Sequence, residues 1–260
     1  MTRAPAIALS FAFAFAANAG AASEAAESPG AWIERMTHAL WPSDAVQAEA
    51  TLESKDENGE GLDMELRLVR DRHGDELRTQ LRVVAPEGAA GTVYEIDAHA
   101  SRPLERKVYL VPVRRTRDLR GVRRTDSFMG SEFSYEDLEI APPRESEWRH
   151  AERFEENGRP LVRVTSSPYS VYERVEAVLD PTTALPVRVS FYDRDGVLYK
   201  LETFGELVKI DGHSMPTRIE MDDVQSNAKS VLHLRNIRLG QAIDEKIFSE
   251  SPLRRHPVTP

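Results

Sequence analysis

From Ala45 onward, hydrophobic positions recur with a period of two. Met64, Leu66 and Leu68 alternate with charged residues, and after Arg72-His73-Gly74-Asp75 the alternation resumes at Leu77, Thr79, Leu81 and Val83. Successive side chains of a strand point to opposite faces, so this stretch predicts a hairpin with one apolar and one wet face. The design recurs at Val187, Val189 and Phe191, which turn through Asp193-Arg194-Asp195-Gly196 into Val197, Tyr199 and Leu201. Val175, Ala177 and Leu179 predict a further strand, as do Met215, Thr217, Ile219 and Met221. Near the end, Leu232 and Leu234 are followed by Ile237 and Leu239, a slip of parity that predicts a bulge or bend. Roughly ten or more short strands joined by polar turns imply one large, curled antiparallel sheet rather than alternating βαβ units. Ahead of them, Ser28-Pro29 reads as an N-cap followed by proline in the first turn of a helix. Trp32, Met36 and Leu40 stand four apart with Ile33 beside them, which gives that helix one apolar face before Trp41-Pro42 ends it. Such a helix is expected to pack on the sheet, a position compatible with a lid over a cavity. No repeat, glycine-rich linker or shift of composition divides the remainder, and Ala141-Pro142-Pro143-Arg144 reads as a loop.

The extreme N-terminus departs from this pattern. Arg3 precedes an apolar run, Ala4 to Ala17, that carries Ile7, Leu9, Phe11, Phe13 and Phe15 and leaves through Ala17-Asn18-Ala19, with Ala19-Gly20-Ala21 as a second small-residue exit. A charged start, a short apolar stretch and a small-residue exit predict a secretory signal peptide, and the run falls short of the about 20 residues of a membrane span. The expected organisation is a signal peptide over 1–19, a flexible lead-in over 20–28 and a single domain over 29–260. Composition then narrows the chemistry. The 260 residues include no cysteine, which removes disulfides, thiolate metal sites, thiol nucleophiles and a lipobox anchor together. With 34 basic against 43 acidic residues, nucleic acid is not the expected partner, and a mean hydropathy of −0.47 excludes a polytopic membrane protein.

One segment carries a resemblance. Residues 128–138 read FMGSEFSYEDL, preceded by Tyr109-Leu110-Val111-Pro112 and an arginine-rich stretch, and followed by YDRDGVLYK (192–200), DGHSMPTRIEM (211–221) and a closing IFSESPLRR (247–255). In this order the strings resemble the outer-membrane lipoprotein-sorting, LolA-like family of exported proteins, over roughly Ala45 to Arg255. The resemblance implies a mainly β protein: a strongly curved antiparallel sheet forming a half-open barrel, with a few helices covering its mouth. It also implies a periplasmic carrier that holds lipid, lipoprotein acyl chains or another hydrophobe, works beside an inner-membrane RND-type transporter and touches the membrane surface transiently, with no cofactor, no metal and a monomeric state.

Candidate cavity-lining residues are the strand positions Met64, Leu66, Leu81, Val83, Tyr94 and Tyr109, with Phe128, Met129, Phe133, Tyr135 and Leu138 as a lid; ordinary core packing is the competing reading for each. Arg114, Arg115, Arg117, Arg120, Arg123 and Arg124 crowd one short stretch. Their guanidinium forks suit a phospholipid headgroup or an acidic partner, or else they dress a solvated strand edge. No enzymatic motif is visible: the seven histidines show neither H-x-H nor H-E-x-x-H spacing, and there is no G-x-S-x-G elbow or phosphate loop. Asp56 to Gly61 begins like a calcium loop, but Arg67 stands where the bidentate glutamate belongs, so a turn is expected. Two rival classes are a lipid-sensing regulator of a membrane-bound partner and a lipid hydrolase; the second lacks any visible nucleophile constellation.

Overall fold

The computed structural model describes residues 27–55, 58–99, 101–120, 125–138, 147–168, 171–249 and 251–255. The signal-peptide segment, most of the lead-in and the Ala141-Arg144 loop lie outside the described residues, as do Asp56, Glu57, Arg123 and Arg124.

A helix, α1 (Pro29–Leu40), precedes thirteen strands. Ser28 caps it by accepting from the Ala31 N–H at 3.2 Å, and the Trp41 N–H donates to the Thr37 carbonyl at the other end. The strands are β1 (Ala45–Lys55), β2 (Asp63–His73), β3 (Glu76–Ala85), β4 (Val93–His99), β5 (Arg102–Leu110), β6 (Arg115–Asp118), β7 (Trp148–Glu156), β8 (Arg159–Ser166), β9 (Arg174–Leu179), β10 (Pro186–Tyr192), β11 (Leu198–Ile210), β12 (His213–Asp223) and β13 (Ala228–Leu239). Two short helices, α2 (Lys246–Ser249) and α3 (Pro252–Arg255), close the described chain.

All thirteen strands form one antiparallel sheet in the order β6-β5-β4-β3-β2-β1-β13-β12-β11-β10-β9-β8-β7. Every pairing joins neighbours in sequence except β1 with β13, which welds an N-terminal meander to a C-terminal one. The two edges of the sheet, β6 and β7, are therefore consecutive in the chain. The expected slip in the last strand is real. Gln47 faces Arg238 but Glu49 faces Arg235, so two residues, Asn236 and Ile237, oppose Ala48, with Asn236 at φ 51°. Such a bulge bends its strand and sharpens the local twist.

The core lies on the concave face. Leu52, Met64, Leu66, Tyr94, Val164, Ala177 and Met221 are buried there in one continuous cluster that α1 enters through Trp32 and Ile33. Burial of such side chains contributes about 1.5–3 kcal/mol each, the source of cohesion open to a chain without disulfides. A smaller cluster on the convex face joins Val93, Tyr109 and Leu253. The closing IFSESPLRR segment makes that cover: Gln80 donates to the Ile247 carbonyl at 2.9 Å, and Arg78 lies 4.4 Å above the Phe248 ring.

Candidate ligand cavity

Residues 127–138 enter the concave side and fold back on themselves. The Phe128 N–H donates to the Phe133 carbonyl at 2.7 Å, and Met129 and Gly130 take φ 54° and 85° to make the reversal. Gly130 suits that left-handed position because it has no Cβ. The serines of the string are all bonded. Ser127 Oγ donates to the Ser131 carbonyl, Ser131 Oγ to the Phe128 carbonyl, and the Ser134 N–H to Asp137 Oδ2 at 2.8 Å. The apolar residues form an aromatic knot: Tyr135 meets Tyr94 edge-on at 5.0 Å and Phe128 at 5.5 Å, while the Tyr94 hydroxyl donates to the Tyr135 carbonyl. Burial pushes the Tyr135 phenol up to about 12. The segment is a plug, fastened to the sheet by the Glu132 N–H on Ser230 Oγ at 2.9 Å and by Lys200 Nζ on the Glu132 carbonyl at 2.7 Å.

The plug fills only part of the concavity. Beyond it a cavity of about 790 Å³ lies between the sheet and α1. Ile33, Met36 and Leu40 of α1 and its C-cap Trp41 form one wall; Leu68, Leu81, Leu232, Leu234, Phe204, Ile219, Phe191 and Ala177 are among the sheet residues opposite; Phe133 and Leu138 belong to the plug. A volume in the range of roughly 300–1,000 Å³ with mostly apolar walls is that of a small-molecule site. Its two ends differ in charge. Arg72, Asp75, His99 and Arg102 stand at the turns on one rim, with Arg106 beside them, and the plug end carries Glu136, Asp137 and Glu202.

The β10/β11 register explains the acidic end. Val189 pairs with Glu202 and Phe191 with Lys200, so these four side chains share the concave face. Lys200 also donates to Asp137 Oδ2 at 3.1 Å, with side-chain exposures of 7 % and 1 %. The Tyr172 hydroxyl donates to Asp137 Oδ1 at 3.2 Å, and burial together with the Asp137 charge holds that phenol well above its usual range. Glu202 is 9 % exposed. Burial first, and the Asp137 charge second, push its carboxyl well above the ordinary range against the opposing pull of Lys200. Burial thus shifts this carboxyl toward its neutral form, in which it can both donate and accept.

A family model describing uncharacterized proteins matches residues 75–255. The chain belongs to that family. Among curated proteins no match is found. Solved structures share the fold: a DUF1329 family protein from Desulfovibrio piger (TM-score 0.77, 20 % identity, covering 86 % of this chain and 97 % of that one); a putative outer membrane lipoprotein-sorting protein domain from Vibrio parahaemolyticus (0.71, 23 %, 86 % and 98 %); and a LolA superfamily protein from Nitrosomonas europaea (0.65, 20 %, 86 % and 98 %). The half-open barrel expected from sequence is the fold of these LolA-superfamily neighbours.

Within this family member, the residues singled out in the sequence fall into distinct places. Leu81, Phe133 and Leu138 line the cavity. Met64, Leu66, Val83, Tyr94, Phe128 and Tyr135 are buried in the core around the plug, and Met129 packs at its margin. The expectation of a lid over 128–138 is corrected: the segment sits inside the sheet, and the element facing the plug across the cavity is α1. Tyr109 is corrected as well. It pairs with Val93 one position out of phase with the inward Tyr94 and Val108, and so faces the convex side under Leu253. On β11 the phase that faces the cavity is Glu202 and Phe204, with Lys200, rather than Val197 and Leu201, because the register shifts between Phe191 and Tyr192; Tyr199, at that shift, packs against the core beside Tyr172. Arg114, Arg115, Arg117 and Arg120 are exposed on or beside the edge strand β6, and Arg120 pairs with Asp118 at 2.7 Å. Arg117 also borders a second hollow of about 400 Å³, shared with Asp126 and Tyr135. Asp71, His73 and Glu245 come together on the outside with the spacing of metal ligands, but Arg78 lies 2.7 Å from Glu245 and 3.6 Å from Asp71 and supplies the counter-charge. No described helix is long and apolar enough to cross a membrane.

Proposed function

We infer that this protein is a carrier that shields a lipid, a lipoprotein acyl chain or another hydrophobe from water. The observation that carries the reading is the cavity of about 790 Å³ between α1 and the concave sheet. Each methylene moved from water into such a space gains about 0.8 kcal/mol, so a long acyl chain gains on the order of 10 kcal/mol without any catalytic group. The fold is shared with a putative outer membrane lipoprotein-sorting protein domain, which supports a carrier role, and the N-terminal pattern over 1–19 supports export to the periplasm as the address. Loading and unloading then fall to a membrane partner, for which an RND-type transporter is the candidate class, because a site this favourable does not empty itself.

The test is direct. Protein purified without detergent is extracted with organic solvent and its bound molecules are identified by mass spectrometry. A lipid or acylated peptide near one equivalent supports the carrier. Protein that is empty and ignores added lipids overturns it and hands the lead to a protein-binding regulator.

A further inference from the structure

The cavity is not a plain hydrocarbon slot. Of the polar side chains that enter it, Asp137 is held by Lys200, Tyr172 and the Ser134 N–H. Glu202 stands apart: among the described residues no side-chain hydrogen bond or ion pair reaches it, although it is 9 % exposed and faces the cavity beside Phe204. Its carboxyl borders the cavity space, so a wholly apolar ligand that fills the space leaves it without a partner at a cost of roughly 1–3 kcal/mol, and a leucine or methionine here would not carry that cost. A site that hydrogen-bonds its ligand discriminates strongly against the analogue that lacks the matching group, because its own polar group is then left without a partner.

We propose that Glu202 is a specificity determinant of the cavity, which takes an amphiphile bearing a hydroxyl within its apolar body in preference to the plain chain of the same length. The proposal rests on the carrier reading. The apolar body lies against Met36, Leu234 and Phe204, and the hydroxyl exchanges hydrogen bonds with the Glu202 carboxyl. The geometry favours a group deep in the ligand over its headgroup, since Glu202 lies at the plug end of the cavity, whereas the arginines and His99 stand at the opposite rim. An anionic headgroup at that rim is compatible with the same pose.

The experiment displaces an apolar fluorescent probe from the full chain with stearic acid and with 12-hydroxystearic acid. The hydroxylated acid is expected to bind about tenfold tighter, the worth of one good hydrogen bond. In Glu202→Leu the preference is expected to vanish, with plain stearic acid gaining affinity. In Glu202→Gln, which still donates and accepts, most of the preference is expected to survive. Circular dichroism of each variant checks the fold, and a fold lost in Glu202→Leu leaves the Glu202→Gln arm and the wild-type ratio to decide. Equal binding of both acids by the wild type, or an unchanged ratio in a folded Glu202→Leu, overturns the proposal and leaves the carrier reading intact. A bound probe that neither acid displaces overturns the proposal alone, and a wild type that binds neither probe nor acid overturns the carrier reading itself.

Discussion

The two ends of the concave face are built from the same strands and used in opposite ways. At one end the chain fills the hollow with its own residues: Tyr94, Phe128 and Tyr135 interlock, and the side-chain oxygens of Ser131, Ser134 and Asp137 all have partners. At the other, α1 bridges the sheet without filling it, and about 790 Å³ remains. A protein that needed only stability would have packed both ends to the density usual in interiors. The contrast separates residues that hold the barrel open from residues that face what enters it.

The plug end carries the largest expected effects. Phe128→Ala removes a fully buried ring that two aromatic partners contact, and a loss of about 3–5 kcal/mol in denaturant unfolding is expected. Lys200→Met leaves the Asp137 carboxylate buried without its cation, and a loss of the same order, about 3–5 kcal/mol, is expected. Adding Asp137→Leu to Lys200→Met is expected to recover part of that loss, since an apolar pair of similar volume avoids the desolvation cost. No recovery would mean that Asp137 acts chiefly as the clasp for the Ser134 N–H and the Tyr172 hydroxyl. Met36→Ala, at the cavity end, inverts the pattern. Its side chain is half-buried against open space, so stability is expected to fall by less than about 1 kcal/mol while ligand retention drops, measured by the same solvent extraction. Equal stability losses in Phe128→Ala and Met36→Ala would dissolve the distinction between the two ends.

Protonation sharpens it further. The Glu202 carboxyl is raised in the folded state, so above the ordinary value of 4.5 the native protein holds a proton that the unfolded chain has released. Stability from this group is complete below that value and falls as pH rises through the window up to the raised one. Asp137 faces it from the plug and works in the same direction, and Lys200 on its own strand opposes them. Glu202→Gln removes the titration. Its stability relative to wild type is expected to be flat below pH 4.5 and to climb above it, by at most about 1.4 kcal/mol per pH unit. A pH-independent difference would place the carboxylate in a better-solvated setting than its 9 % exposure indicates.

How much of this was legible in the sequence depends on the strand. Where one phase is apolar and the other charged, as at Met64, Leu66 and Leu68, the concave face could be assigned from the pattern, and the parity slip after Leu234 located the bulge opposite Ala48. β11 defeated the same reasoning because both phases contain apolar residues: Tyr199 and Leu201 in one, Phe204 in the other. The only signal for the inward phase was Phe204 two places beyond Glu202, and an inward Lys200 and Glu202 make sense only once Asp137 arrives from more than sixty residues upstream. The plug was recognisable as a motif but its position was not. A two-residue period says nothing about a segment that pairs with itself, and Phe128, Phe133 and Tyr135 look equally apolar on a lid or in a core. Tyr109 was misassigned for a related reason. The convex face of a sheet is not wet everywhere, and its cover comes from Leu253, which is remote in sequence.

The smallest effect expected is at the edge. Arg120 is 82 % exposed in its pair with Asp118, and solvated pairs of this kind contribute roughly 0.2–1 kcal/mol at most. Arg120→Ala is therefore expected to shift unfolding by less than about 0.5 kcal/mol. The useful readout is association instead. β6 is an edge strand of the sheet, and charged side chains along such an edge oppose pairing with another sheet. If Arg114, Arg115, Arg117 and Arg120 serve that protective purpose, replacing all four by serine leaves ligand retention unchanged and raises the fraction of dimer or aggregate in light scattering. If they meet an anionic surface, the same variant stays monomeric and loses binding to vesicles containing acidic phospholipid, with the wild-type binding weakening as salt is added. The two outcomes are exclusive for the edge strand, and either one separates the arginines from the cavity, whose apolar walls and buried carboxyl lie on the other side of the plug.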